Sequence, residues 1–198
     1  MKIIKQNRRS ICLQVKNNGE VILKVPINLP QKNIDEFLVS KQNWLDKSLK
    51  RINQTLEIKS KYDFDKYVYL FDDNFNKDEI LKKYKNVKNF YKANINYLLE
   101  RVEFFKNKYN FNLTKFTINN SVRNWGTFNS KFEMKLNLKC LILKKDLIDY
   151  IIIHEFCHSK QLNHSKLFWQ EVMRIIPNYK ILKKEVRDFG FLLRENLY

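Results

Sequence analysis

The sequence predicts an α+β fold, and three of its features carry that reading. Two alternating apolar and polar segments near the start flank a turn sequence. Long stretches of helical apolar spacing follow, and the second half mixes short strand-like segments with helices. Ser10–Lys16 and Glu20–Val25 are the alternating pair, and Asn17-Asn18-Gly19 between them supplies the positive-φ positions of a tight hairpin turn. Pro26 and Pro30 close the second strand. Asn33 is the expected N-cap of a long amphipathic helix, with Asp35 and Glu36 in its first turn. Ile34, Phe37, Leu38, Trp44, Leu45, Leu49 and Ile52 recur along it at helical spacing.

Lys61–Asp73 is tyrosine-rich and alternates over short distances, which predicts one or two strands. Asp78–Asn110 reads as helix, with Tyr91, Ile95, Leu98, Leu99, Val102 and Phe105 as its buried stripe. Phe116–Asn119 and Phe132–Leu138 read as strands joined through Ser121–Thr127. A further helix opens near Asp146 and runs through Ile151, Ile152 and Ile153. Another starts near Ser165 and ends before Pro177, and a last one covers about Asn178–Asp188. With no internal repeat and no clear linker, one domain over 1–198 is the simplest partition. It consists of an N-terminal hairpin and helix over about 1–56 and a core over about 77–198.

Hydrophobic residues make up 44% of the chain and aromatics 14%, which excludes disorder, while three Gly and three Pro exclude collagen-like and linker-rich compositions. No run approaches the roughly 20 apolar residues of a membrane span. No apolar core follows the charged start, so neither a signal peptide nor a membrane partner is expected, and the expected location is the cytoplasm. Cys12, Cys140 and Cys157 are too few and scattered for a disulfide framework, as a reducing compartment requires. The net charge of +17 makes nucleic acid one expected partner. Thirty of the basic residues are Lys and only eight are Arg, spread without a concentrated patch. Together with abundant Asn, that composition also matches the coding bias of an AT-rich genome.

All three histidines of the chain fall in one eleven-residue window, His154-Glu155-Phe156-Cys157-His158 and then His164. Residues four apart share a helix face, so His154 and His158 can converge on one metal ion. Glu155 lies about 100° round the helix, beside the ion rather than on it. A straight helix would carry His164 about 15 Å from His154, so the chain must leave the helix after His158 and double back. No Gly stands there to make the turn. Asn163 is the candidate for a left-handed residue, and Gln161 a weaker one.

Three neutral imidazoles with a fourth position left open are the donor set of a catalytic zinc site. One Zn²⁺ at His154, His158 and His164 is therefore expected, with Glu155 as general base for attack by the metal-activated water on a peptide carbonyl. The developing oxyanion needs a further donor, for which Arg123, Tyr150 and Tyr179 are candidates. Cys157 reads as core rather than as a ligand. A zinc ion bound without catalysis is the competing reading of the same residues.

Asp149–His158, Asn163–Trp169 and Pro177–Lys180 resemble the YgjP-like metallopeptidase family, metal-dependent hydrolases related to SprT-like proteases. Arg123-Asn-Trp-Gly-Thr127 is similar to the family's R-W-G-S segment and Leu136-Asn137 to its L-N strand. Asn124 stands where the family has an Arg directly before the Trp, and Thr127-Phe128 stand where it has Ser-Cys. The N-terminal hairpin, Pro26 and the helix carrying Trp44 follow the family's pattern too. The resemblance implies a minimal zincin-like fold, a small mixed sheet packed on the metal-site helix, with zinc on the three histidines and Glu155 as base. It implies a peptide or protein substrate, for which Phe132–Leu138 is the expected edge strand. The alternative is a nucleic-acid-associated protein, either a protease acting on DNA-bound proteins or a zinc-stabilised binding module without catalysis.

Overall fold

The computed structural model describes residues 1–195, and the chain forms two compact units, Met1–Lys61 and Tyr62–Tyr198. In the first unit, β2 (Cys12–Val15) and β3 (Val21–Pro26) form the expected antiparallel hairpin, with Leu13 opposite Leu23 and Gly19 in the turn at φ +84°. A strand with no sequence signal, β1 (Lys2–Gln6), adds in parallel to β3. Its residues are mostly exposed, so no buried face imposed the alternation by which strands are recognised. Helix α1 (Gln31–Lys59) begins two residues before the expected cap at Asn33. Pro30 holds the capping position in an extended conformation, and its carbonyl accepts from Asn33 and Ile34. A residue in that place needs only to accept, so the absent N–H of proline costs nothing. Leu23, Val25 and Ile34 form the small core of this unit.

The second unit opens with a hairpin of β4 (Tyr67–Leu70) and β5 (Asp73–Asn76), whose turn places Phe71 and Asp72 at positive φ. The expected single helix over Asp78–Asn110 is three helices: α2 (Lys77–Tyr84), α3 (Val87–Ala93) and α4 (Asn96–Tyr109). Lys85 at φ 66° ends the first, and the Asn86 side chain then caps the second by accepting from the Asn89 N–H. Apolar periodicity passes through such breaks because Tyr91, Leu98, Val102 and Phe105 are buried in the same core, although Leu99, expected with them, is exposed.

Strands β6 (Lys115–Asn119), β7 (Gly126–Phe128) and β8 (Glu133–Asn137) make a mixed sheet in the order β6-β8-β7. β8 pairs in parallel with β6 and antiparallel with β7. The segment Phe132–Leu138, expected at an edge, is therefore the centre of the sheet. The edges are β6 and β7, and β7 lies in the stretch that the sequence presented only as a connection. After β8 a buried 3-10 turn, Leu138–Ile142, leads to α5 (Lys145–Cys157). Lys139 is buried in that turn, and its Nζ donates to the carbonyls of Leu193 and Glu195 at 2.9 and 2.8 Å.

α5 is the central helix. Leu147, Ile148, Tyr150, Ile151, Ile152, Ile153, Phe156 and Cys157 are all buried, so it is apolar around its whole circumference. It packs against β7 and β8 of the sheet and against α4, α6 (Lys166–Ile175) and α7 (Tyr179–Asp188). The Phe156 ring stacks on Phe111 at 4.8 Å. No helix among the described residues is long and apolar enough to cross a membrane.

Lys160, just past α5, and Arg174 both bind the Glu171 carboxylate of α6. Hydrogen bonds from Arg174 and then Lys160 hold that carboxyl down at about 2. Because the folded value lies below the unfolded one, the stabilisation is complete above the ordinary carboxylate range and is lost as pH falls from about 4.5 towards 2. The two cationic partners are about half exposed, so screening limits the effect. Glu171→Gln is expected to lower unfolding free energy by about 1 kcal/mol at pH 7. The gap to wild type in urea titrations should narrow as pH is lowered from 5 to 3, and a gap constant over that range would refute the assignment.

Candidate metal centre

His154 sits in the last turn of α5, and His158 caps its C-terminus. The helix stops there because the N–H groups of Ser159, Lys160 and Gln161 turn back onto the carbonyls of Phe156 and Cys157. Asn163 is not the left-handed residue expected for the reversal, and neither is Gln161: the positive-φ residues among those described all lie elsewhere. The reversal is instead spread over several residues. The Asn163 side chain accepts from the Ser165 N–H, and Ser165 Oγ accepts from the Phe168 N–H to start α6. A polar side chain bonded to the backbone does the work for which a strained φ was expected.

The result brings all three histidines together. Nε2 of His164 lies 3.1 Å from Nε2 of His154, and one ligand atom from each of the three rings lies within 4.8 Å of the others. Phe168, fully buried, supports all three, with ring centroids 4.9, 4.5 and 4.8 Å from those of His154, His158 and His164. His158 Nδ1 lies 3.0 Å from the Gln161 carbonyl. A carbonyl only accepts, so that nitrogen carries the proton and Nε2 keeps its lone pair. His154 Nδ1 is buried with no partner among the described residues. Burial, reinforced by the neighbouring imidazoles and Lys183, pulls His154 down to about 3. The same causes, burial first, lower His164. Both rings are therefore neutral at pH 7, which is the form that ligates a metal.

These residues fit a zinc ion. Tetrahedral bonds of about 2.0–2.1 Å set neighbouring ligand nitrogens roughly 3.4 Å apart, a spacing these three rings reach with small movements. Cys157 is buried, with its thiol pushed up to about 12 by that burial, and it does not join the three imidazoles that converge.

Glu155 is buried, and burial raises its carboxyl to about 8. It lies against β7. A Cβ built on Gly126 would fall 2.7 Å from Glu155 Cγ and 2.9 Å from its Oε1, so the side chain occupies the space that the glycine leaves. Asn137, fully buried at the end of β8, fixes this wall. Its Nδ2 donates to the carbonyls of Ser121 and Asn124 at 2.6 and 3.0 Å, and its backbone N–H donates to the carbonyl of Trp125 at 2.8 Å. In the sequence Asn137 stands out only as part of its strand. A buried polar residue that ends an apolar strand was the available signal.

The three candidate oxyanion donors are placed differently. Tyr150 is buried with its ring 5.9 Å from that of His154, and burial raises its hydroxyl, which therefore stays protonated. Tyr179 stacks on Trp169 at 5.3 Å, and Trp169 in turn stacks on His164 at 5.5 Å. Arg123 is exposed in the segment before β7, and among the described residues no contact joins its side chain to the imidazoles. Trp169 and Lys183 were missed as site residues. They come from α6 and α7, and only the packing of those helices on α5 brings them to the centre.

An α+β fold whose central helix and following turn gather three imidazoles defines a candidate metal-centre protein. The YgjP-like metallopeptidase domain matches residues 9–83 and 75–189, and the chain belongs to that family of metal-dependent peptidases. Among solved structures, it is similar to the metallopeptidase zymogen of Pyrococcus abyssi abylysin. The two share 24% identity and a TM-score of 0.42, over 51% of this chain and 99% of that one. A search of curated proteins finds no match.

Proposed function

We propose that the protein is a zinc-dependent peptidase with a zincin-like catalytic unit, in which His154, His158 and His164 hold one Zn²⁺ and Glu155 is the general base. The observation that supports this reading is the convergence of three imidazoles, with Glu155 buried next to His154 on the same helix. A zinc ion held there supplies a water acidified from about 15.7 towards 7 and a Lewis acid for the scissile carbonyl. Burial alone would leave the Glu155 carboxyl protonated at pH 7; the charge of a zinc ion held beside it would favour the carboxylate, which would take the proton from the attacking water and return it to the departing amine. Burial against Gly126 confines its carboxylate, so little orientation remains to be found in the transition state. The protonated Tyr150 hydroxyl is the oxyanion donor best supported by position, ahead of Tyr179 and of Arg123. An extended substrate pairs with the edge strand β7, which packs on α5.

Elemental analysis of the purified full chain, alongside hydrolysis of an unfolded protein, tests the proposal. One zinc per chain is expected, with hydrolysis lost on chelation and restored by zinc. A chain that retains no divalent metal, and that chelators leave unchanged, ends it.

A further inference from the structure

A second charged group reaches the metal centre from α7. Lys183 lies four residues after Tyr179, on the same helix face, and its Nζ sits 3.7 Å over the Trp169 ring. Trp169 stacks on Tyr179 with 16° between the planes and on His164 with 22°. Its ring also lies 5.8 Å from that of His154. Trp169 thus touches both the Lys183 ammonium and the exposed His164 ring.

The geometry points to Lys183 as the residue that binds a substrate carboxylate beside the metal centre. That carboxylate is either an acidic side chain flanking the scissile bond or the free α-carboxylate of a short peptide. The inference rests on the peptidase reading for its substrate class. Three observations support it. Lys183 is exposed, and no Asp or Glu pairs with it among the described residues, whereas Lys160 and Arg174 share Glu171. Its hold on Trp169 is a cation–π contact, which orients the ammonium without using up its N–H donors. Glu155, which also belongs to the centre, is buried against Gly126. An ammonium beside a divalent ion is a like-charge arrangement. A ligand carboxylate relieves it, and the local field of such a site attracts anions.

The test is equilibrium binding, by fluorescence anisotropy at about 0.15 M salt, to the zinc-loaded Glu155→Gln full chain. Three labelled peptides of one length are compared: a Glu peptide with an amidated C-terminus, its Gln counterpart, and the Gln peptide with a free C-terminus. One of the two carboxylate peptides is expected to bind about ten-fold more tightly than the neutral one, and which of them does so identifies the source of the carboxylate. Adding Lys183→Met, which keeps an unbranched stem over Trp169, should bring that ratio to about one, and Lys183→Arg should restore it. Lys184→Met removes the same charge from an exposed neighbour and should leave the ratio in place. Equal binding of all three peptides overturns the inference, as does an equal loss in Lys183→Met and Lys184→Met, which would assign the preference to net charge. Selective binding in a wild-type chain that hydrolyses nothing would retire the peptidase reading and leave the carboxylate site standing.

Discussion

Glu155→Gln is expected to lower the rate of hydrolysis of an unfolded protein by about 10²–10⁴-fold while the zinc content stays at the expected one per chain. The amide has the size of the carboxylate, so it fills the buried space against Gly126 and disturbs neither β7 nor α5. What it lacks is a basic oxygen to accept a proton, and no other carboxylate takes its place in the described contacts of the three imidazoles. Metal content and rate must be measured on the same sample. A rate that falls with metal retained assigns Glu155 the proton transfer, whereas a rate that falls with the metal assigns it a part in holding the site together. Turnover equal to wild type at full zinc occupancy would falsify the assignment of the base.

Gly126→Ala is the second large effect, and it separates position from chemistry. Gly126 lies outside the left-handed region, so alanine meets no backbone strain there. Its Cβ nevertheless arrives 2.7 Å from Glu155 Cγ, well inside van der Waals contact, and the neighbour that must yield is the proposed base. A misplacement of about 1 Å can reduce catalysis some 10²-fold, and a loss of that order is expected in kcat, with substrate affinity changed little. The variant should still bind zinc through three undisturbed histidines and unfold within about 1–2 kcal/mol of wild type, because a side chain rather than a strand absorbs the clash. Full activity in a folded, zinc-loaded Gly126→Ala chain would mean that the carboxylate does not work from the place where it lies.

The two variants mark the boundary of what the sequence displays. His154 and His158 are legible because a helix enforces the i, i+4 relation locally. The return of His164 is legible because a rod of ten residues cannot deliver it. The device that returns it is not, since an Asn side chain bonded to its own backbone and a left-handed Asn leave the same letter in the sequence. Strand β7 is three residues long and begins with a glycine, so it has neither alternation nor propensity to announce it. It exists because β8 offers an unpaired edge and Asn137 ties down the loop before it. The same ignorance of partners put Phe132–Leu138 at the edge of the sheet, because a strand's letters show which face is buried but not how many neighbours it has. Lys183 and Trp169 needed the packing of two later helices on α5 before either could be associated with the histidines. The two breaks between Asp78 and Asn110 are marked by Asn86 and Asn94, but a shared apolar stripe outweighs them.

The three imidazoles are not equally supported from behind. His158 leans on a backbone carbonyl through its second nitrogen, whereas the corresponding nitrogen of His154 meets no protein acceptor among the described residues. In metal sites of this kind, losing an outer hydrogen bond typically weakens the grip on the ion by about 10–100-fold. Occupancy should accordingly follow the free zinc concentration of the surroundings, so that scarcity of the ion would silence the protein without any inhibitor.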